Sequence, residues 1–382
     1  MRKFRYNIIH RVAILVLSLT VLSIAADNYN FQIRREIDEI SQLHNKIGVV
    51  KIEPLHSDND NDFSKLLLTS VINSDITNKN YKEIIVKYNN LGKKSEFVLK
   101  IDSALPEEKL SKIYKSSLDT VDLAEPNYAV KLENSDPVDL QNLKLNQPKL
   151  DDQLFLKRNP KVAVIDSGID VNHPKLKENI EGYKNVSSDS KTNEDLVGHG
   201  THIAGIIVGL APTTKIVPIK FTDGKIGRLS DLLRGLDYAI ESDVEIINLS
   251  LGILENSKLL KTKIDEAVDN DIIVVAAAGN QNSTRKFYPA ALDEVVSVAA
   301  LNNKGEKMFA SNYGDWVDFA TYGQDIYSTY PKNSYKYWSG TSQAAARLTG
   351  LILANTKNSD YKKTIEEFAK FDKTEYGRLV IE

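Results

Sequence analysis

Ser339-Gly340-Thr341-Ser342-Gln343-Ala344-Ala345-Ala346 is the stretch on which the reading of this chain turns. A glycine-bearing turn is followed by a serine and then by an alanine-rich apolar run, the pattern of a helix start. Such a placement holds Ser342 on tight backbone with its hydroxyl exposed, beside the unpaired N–H groups and positive dipole end of the helix. A serine there can be a nucleophile if a base is at hand. It can equally be a helix cap, a position that serine favours for structural reasons alone.

Two other stretches supply what the nucleophile needs. Lys161-Val162-Ala163-Val164-Ile165 is a nearly continuous β-branched run, as expected of a strand buried on both faces. It ends in Asp166-Ser167-Gly168, so a carboxylate stands at the C-terminal end of a strand, where α/β sheets build their sites. Gly198-His199-Gly200-Thr201-His202 then opens a second apolar helix with an imidazole at its mouth. The chain order Asp, His, Ser is that of the subtilisin-type triad and differs from the chymotrypsin and α/β-hydrolase orders.

The three blocks together resemble those of the subtilisin-like serine proteases, from about Asn146 onward and most densely from Val162 to Gly350. The resemblance implies a parallel, doubly wound α/β sheet with helices on both faces. Strand-like and helix-like runs do alternate after Asp166: strands near 215–221, 244–250, 272–278 and 295–300, and helices near 229–242, 258–270 and 361–370. It further implies that Ser342 attacks a peptide carbonyl, His199 carries the proton and Asp166 orients the imidazole. Asn280, after Ala277-Ala278-Gly279, resembles the oxyanion asparagine. Ser250-Leu251-Gly252 resembles the edge strand that pairs with substrate backbone, and Gly227 falls where the family builds the facing wall. His202 is the rival base, but it resembles a packing position.

The N-terminal half is read differently. Arg2, Lys3, Arg5 and Arg11 precede the uncharged apolar run Val12 to Ala26, which is shorter than the roughly 20 residues of a membrane span. It reads as a secretory signal over 1–26 cleaved near Ala25 or Ala26, with an uncleaved anchor as the alternative. Residues 83–88 and 95–101 alternate as strands do, 106–117 is helical in pattern, and 123–130 is extended, which suggests a small α+β domain. Its place before the triad and the ending Ala124-Glu125-Pro126-Asn127-Tyr128 resemble the family's propeptide, an inhibitor and folding aid. The expected organisation is a propeptide over 27–135, globular over about 80–132, then a catalytic domain over 136–382. The acidic loop Ser57 to Asp62 lacks the glycine and distal glutamate of an EF-hand and reads as a solvated turn.

Composition narrows the partners. Lys and Arg total 49 against 52 Asp and Glu, a net charge of −3, so neither nucleic acid nor an anionic membrane surface is implied, and contact with membrane is expected only through the signal segment. There is no cysteine, hence no disulfide framework and no thiol nucleophile. The chain is expected to be a secreted monomer whose partners are a peptide or precursor-protein substrate and its own propeptide. No cofactor is required. The family's tight calcium site is expected to be absent, because the segment Ile207 to Pro212 lacks the asparagine-rich insertion that supplies most of its ligands; a weaker calcium site elsewhere stays open. Gln343 and Ala346 replace the family's methionine and proline after the nucleophile. The short loop from Asn280 to Tyr288, with Arg285, Lys286 and Phe287, departs from the broad degradative members. Three roles fit: a processing protease such as a lantibiotic leader peptidase, a general extracellular protease, and an inactive peptide-binding homologue.

Overall fold

The computed structural model describes residues 37, 39–44, 46, 49–55, 82–90, 93–132, 159–356 and 359–380. The signal-like run, the acidic loop at 57–62 and the segment 133–158 lie outside the described residues. Among the described residues no helix is long and apolar enough to cross a membrane. The chain divides into two compact units, Met1–Asn127 and Tyr128–Glu382.

The first unit is an antiparallel sheet of β1 (Val49–Pro54), β2 (Lys82–Asn90), β3 (Lys93–Ile101) and β4 (Val121–Pro126), in the order β1-β3-β2-β4, with α1 (Glu107–Ser117) before β4. The period-2 pattern of β2 and β3 puts Ile84, Val86, Tyr88, Phe97, Leu99 and Ile101 into one core with Leu110 and Tyr114 of α1. Buried inside that core, the Tyr114 hydroxyl is hydrogen-bonded to both His44 and the Tyr88 hydroxyl. β1 and the helical residues before it lie outside the 80–132 segment that the sequence pattern outlines. Their composition is polar, and among the described residues Ile37, Ile40, Leu43, Val49 and Ile52 reach the core.

The second unit opens with β5 (Ala129–Leu132), followed by β6 (Lys161–Asp166), β7 (Lys184–Asn185), α2 (His199–Leu210), β8 (Lys215–Lys220), β9 (Ile226–Arg228), α3 (Leu229–Glu241), β10 (Ile246–Leu249), β11 (Leu251–Gly252), α4 (Lys258–Asp269), β12 (Ile273–Ala277) and β13 (Val296–Leu301). Then come β14 (Phe319–Tyr322), the antiparallel hairpin β15 (Ile326–Tyr330) and β16 (Ser334–Trp338), α5 (Thr341–Asn355), α6 (Tyr361–Phe368), β17 (Lys373–Thr374) and β18 (Gly377–Leu379). The extended run at 123–130 is therefore two strands in two sheets, β4 in the first unit and β5 in the second.

A nine-stranded sheet in the order β17-β18-β14-β13-β12-β10-β6-β8-β7 forms the body of the second unit. Every neighbouring pair is parallel except β17 with β18. Val162 and Val164 of β6 pack into a core with Ile203, Ile207, Ala345 and Leu348 of α2 and α5. On the opposite face a Cβ at Gly235 of α3 would meet Ile165 at 3.1 Å. Both faces of β6 are therefore covered, which is why Val162 to Ile165 are all apolar; burying each of its Val and Ile side chains contributes about 1.5–3 kcal/mol. From β6 the chain winds to β8 on one side and to β10 on the other. The strand order thus reverses between β6 and β10, and the crevice beyond their carboxyl ends is where such sheets bind ligands.

Candidate active site

Asp166 closes β6 at that crevice, Ser250 follows β10, and Asn280 follows β12. His199 is the first residue of α2, and Ser342 lies in the first turn of α5. Asp166 and His199 are fully buried, and His199 Nδ1 stands 2.8 and 2.9 Å from the two Asp166 carboxylate oxygens. A carboxylate pair at Nδ1 holds the proton there and leaves Nε2 as the basic nitrogen. Nε2 is itself buried and has no hydrogen-bond partner.

Local sequence explains why the two meet. A Cβ on Gly200 would lie 2.1 Å from the Gly168 carbonyl oxygen and 3.0 Å from Asp166 Cβ, so only glycine lets the first turn of α2 close on the end of β6. The cap residue Gly198 sits at φ +84° and offers no side chain to the helix. Asp195 takes that role instead: its carboxylate accepts from the amides of Val197, Gly198 and Thr201 and from the hydroxyls of Ser167 and Thr201. Burial pushes its carboxyl above the usual carboxylate range, against the pull of those hydrogen bonds.

Ser342 departs from the expectation of an exposed hydroxyl. It is fully buried, and its Oγ donates to the Ser250 carbonyl at 3.2 Å. The reason is the polar chain that seats α5: Thr349 Oγ1 donates to Asn248 Oδ1 at 3.0 Å, Asn248 Nδ2 to Ser250 Oγ at 3.1 Å, and Ser250 Oγ to the Ser342 carbonyl at 3.3 Å. To hand its proton to His199 Nε2 the hydroxyl would have to turn from Ser250, a tightening common when substrate arrives.

Asn280 is aimed by its neighbours. Gly279, at φ +100°, turns the chain, and its amide donates to Thr341 Oγ1 at 3.1 Å. Asn280 Oδ1 accepts from the Thr341 amide at 3.0 Å, so the Nδ2 end of the side chain is the end that can serve an oxyanion. Asn312 ties the same loop together, binding the Ala278 carbonyl and the amides of Gln281 and Ser283.

One residue that the sequence did not single out, Trp338, completes the site beside His202. Trp338, at the end of β16, is edge-on to His199 (5.3 Å, 84°) and to His202 (5.5 Å, 73°). His202 lies on the far side of this arrangement, its Nε2 within 3.1 Å of the carbonyls of Ile326 and Lys336. Those contacts tie α2 to the hairpin and give His202 a structural place, distinct from the base. The hairpin also hydrogen-bonds α2 directly, Ser328 Oγ to the His202 carbonyl and Thr329 Oγ1 to the Thr201 carbonyl.

The proposed cleft walls hold a strand of the chain itself. β5 is the middle strand of a three-stranded sheet in the order β11-β5-β9. On one side Leu132 stands opposite Leu251 and Lys131 opposite Gly252; on the other, Val130 stands opposite Gly227. Val130 and Leu132 are buried, and the intervening Lys131 points outward.

The subtilase family profile matches residues 157–369. Similar proteins include the thermophilic serine proteinase of Bacillus sp. (strain AK1), 39% identical over 239 residues, which are 57% of this chain and 59% of that protein. Subtilisin E of Bacillus subtilis (strain 168) is 34% identical over 263 residues, 65% of this chain and 68% of that protein. The major intracellular serine protease of the same strain is 34% identical over 236 residues, 56% of this chain and 74% of that protein. With a buried Asp-His pair, a serine at a helix start and a parallel sheet that reverses beside them, the chain belongs to the subtilase family of serine-type endopeptidases.

Proposed function

We propose that this chain is an exported proenzyme whose mature part cuts peptide bonds with Asp166, His199 and Ser342, and that its natural task is to process a precursor peptide, as a lantibiotic leader peptidase does. Ser342 Oγ attacks the scissile carbonyl while His199 Nε2 takes its proton, and Asp166 stabilises the imidazolium through Nδ1–H. The oxyanion receives hydrogen bonds from Asn280 Nδ2 and the Ser342 amide; one such donor contributes about 2.7–4 kcal/mol. The same imidazolium protonates the leaving amine, and water repeats the sequence to free the acyl enzyme.

The observation that carries this reading is the position of β5. A peptide strand paired on both sides, with Leu251–Gly252 and with Ile226–Arg228, is a β-augmentation geometry, in which main-chain hydrogen bonds give affinity and side-chain pockets give specificity. A propeptide strand held there blocks the site until it is cut. The unit ending at Asn127 is then the propeptide body, residues 1–26 its export signal, and the mature protein a secreted monomer. Exclusion of the family's tight calcium site finds support in Asn179, whose Nδ2 donates at 2.8 Å to the carbonyls of both Pro212 and Thr214. An amide donor already occupies acceptors that a cation in this loop would need.

A fluorophosphonate probe that reacts with active serine hydrolases tests the enzyme reading, and a peptide-library cleavage profile tests the role. Labelling lost in Ser342→Ala together with a narrow profile supports a processing protease. A broad profile points to a degradative protease, and absence of labelling to an inactive peptide-binding homologue.

A further inference from the structure

Phe287 is buried at the point where the two walls nearest Ser342 converge. One wall is β11, Leu251–Gly252; the other is the end of β12 continued through Ala278, Gly279 and Asn280. A peptide paired along β11 and reacting with Ser342 brings its reacting residue beside Ser250, whose carbonyl accepts from Ser342 Oγ at 3.2 Å. Its carbonyl oxygen must face Asn280. The side chain of that residue, the one on the acyl side of the scissile bond (P1), is therefore directed between the walls, toward Gly252 and Gly279.

That space is taken. A Cβ built on Gly252 would lie 2.4 Å from Phe287 Cε1 and 2.8 Å from Cδ1, and one on Gly279 would lie 3.3 Å from the same Cδ1. One edge of the ring thus fills the space beside Gly252 and reaches toward Gly279, where Asn312 Nδ2 and Gln281 Oε1 lie nearer, at 2.4 and 2.8 Å from the same Cβ position. Phe287 is 2% exposed. Its backbone is held on the C-terminal side: Tyr288 and Ile253 exchange hydrogen bonds of 2.8 Å, and the Phe287 carbonyl accepts from the Ala291 amide at 2.8 Å. Moving the ring out of this buried place takes a change of its side-chain rotamer, and a phenyl group is among the bulkiest fillers a pocket can have.

We propose that Phe287 occludes the P1 pocket, so that this protease accepts glycine, alanine or serine on the acyl side of the scissile bond and rejects large apolar and aromatic residues. The proposal rests on the peptidase reading and names its substrate class. In an apolar pocket a single methylene changes kcat/KM by about 10–200-fold, so a pocket filled by a ring discriminates at least tenfold against leucine or phenylalanine.

The test uses the full chain, expressed and allowed to mature, as wild type and as Phe287→Ala. Peptides identical except for glycine, alanine, serine, leucine or phenylalanine at P1 are compared by kcat/KM, normalised to the fluorophosphonate-reactive fraction. Wild type is expected to favour alanine over phenylalanine by about tenfold or more, and Phe287→Ala to raise the Phe:Ala ratio by about tenfold or more. Should Phe287→Ala fail to mature, Phe287→Ser and the wild-type profile decide the matter. Wild type that prefers leucine or phenylalanine, or a P1 profile unchanged by the substitution, overturns the role of Phe287 alone. Loss of both cleavage and probe labelling in wild type overturns the peptidase reading beneath it.

Discussion

Leu132 stands directly opposite Leu251 in an antiparallel pair, and its neighbour Val130 stands opposite Gly227 on the other side. A single strand of this chain therefore bridges the two walls beside Ser342. If β5 is the end of an inhibitory propeptide, maturation cuts at or just past its last residues, between about Lys131 and Leu140. N-terminal sequencing of secreted protein reads the cut directly. A mature N-terminus beyond Val162 would remove β6, the strand that carries Asp166, and contradict the proposed boundary.

Trp338 is edge-on to both imidazoles of α2, and it is 2% exposed. Trp338→Ala is expected to cost about 3–5 kcal/mol, because a buried indole leaves a cavity that the hairpin cannot refill. In the Ser342→Ala background that corresponds to a fall in thermal midpoint of about 6–20 °C. In the active enzyme kcat should fall more than KM rises, since His199 loses the surface that orients its ring. Trp338→Phe should recover most of both. A Trp338→Ala midpoint within about 2 °C of the parent would refute the bracing role.

His202 gives the site an acid limit of stability. Its Nε2–H is shared between two carbonyls and its buried Nδ1 has no partner, so a second proton would find no acceptor. Burial pushes the imidazole down to about 3. The unfolded value is about 6.5, so between pH 6.5 and 3 the unfolded state binds more protons than the folded one. Stability is therefore complete above pH 6.5 and is lost as pH falls, by about 2 kcal/mol at pH 5. His202→Gln keeps a donor but cannot titrate, and should flatten the drop in thermal midpoint between pH 7.5 and 5 by about 4–8 °C. Equal slopes in the two proteins would show that His202 is not the titrating group.

The α/β body was legible because its signals are local and redundant. β6 and β12 are apolar on both faces, and a strand buried on both faces has to be. The Asp166, His199 and Ser342 blocks stand at strand or helix ends, as the alternation requires. The hairpin 326–338 was missed although Ile326 to Tyr330 and Ser334 to Trp338 flank a turn at Pro331, Lys332 and Asn333, the last two at positive φ. Its mixed aromatic and lysine composition hides the face that meets α2. Nor does sequence show that Asp195 caps α2 from outside the helix, or that Ser342 is buried, because both depend on contacts between segments distant in the chain. The ring of Phe287 comes to lie beside Gly252 and to reach toward Gly279 only after two loops have folded together.

Calcium offers a further check. A ligand present at about 100 times its dissociation constant stabilises by about 2.7 kcal/mol. With the amide of Asn179 engaged by Pro212 and Thr214, the loop before β8 is not expected to supply such a site. Thermal unfolding of the mature Ser342→Ala protein should give midpoints in excess EDTA and in millimolar calcium that differ by only a few degrees. A rise of about ten degrees or more with calcium would mean that a tight site exists.

The central claim is that Ser342 is the nucleophile of an Asp-His-Ser peptidase, and the rate of peptide hydrolysis by Ser342→Ala tests it most directly. The substituted protein should retain only the residual rate that binding and the oxyanion hole provide, a loss on the order of 10⁶-fold in kcat, and should remain at full precursor length if maturation is autocatalytic. Hydrolysis by Ser342→Ala within about tenfold of wild type would contradict the account.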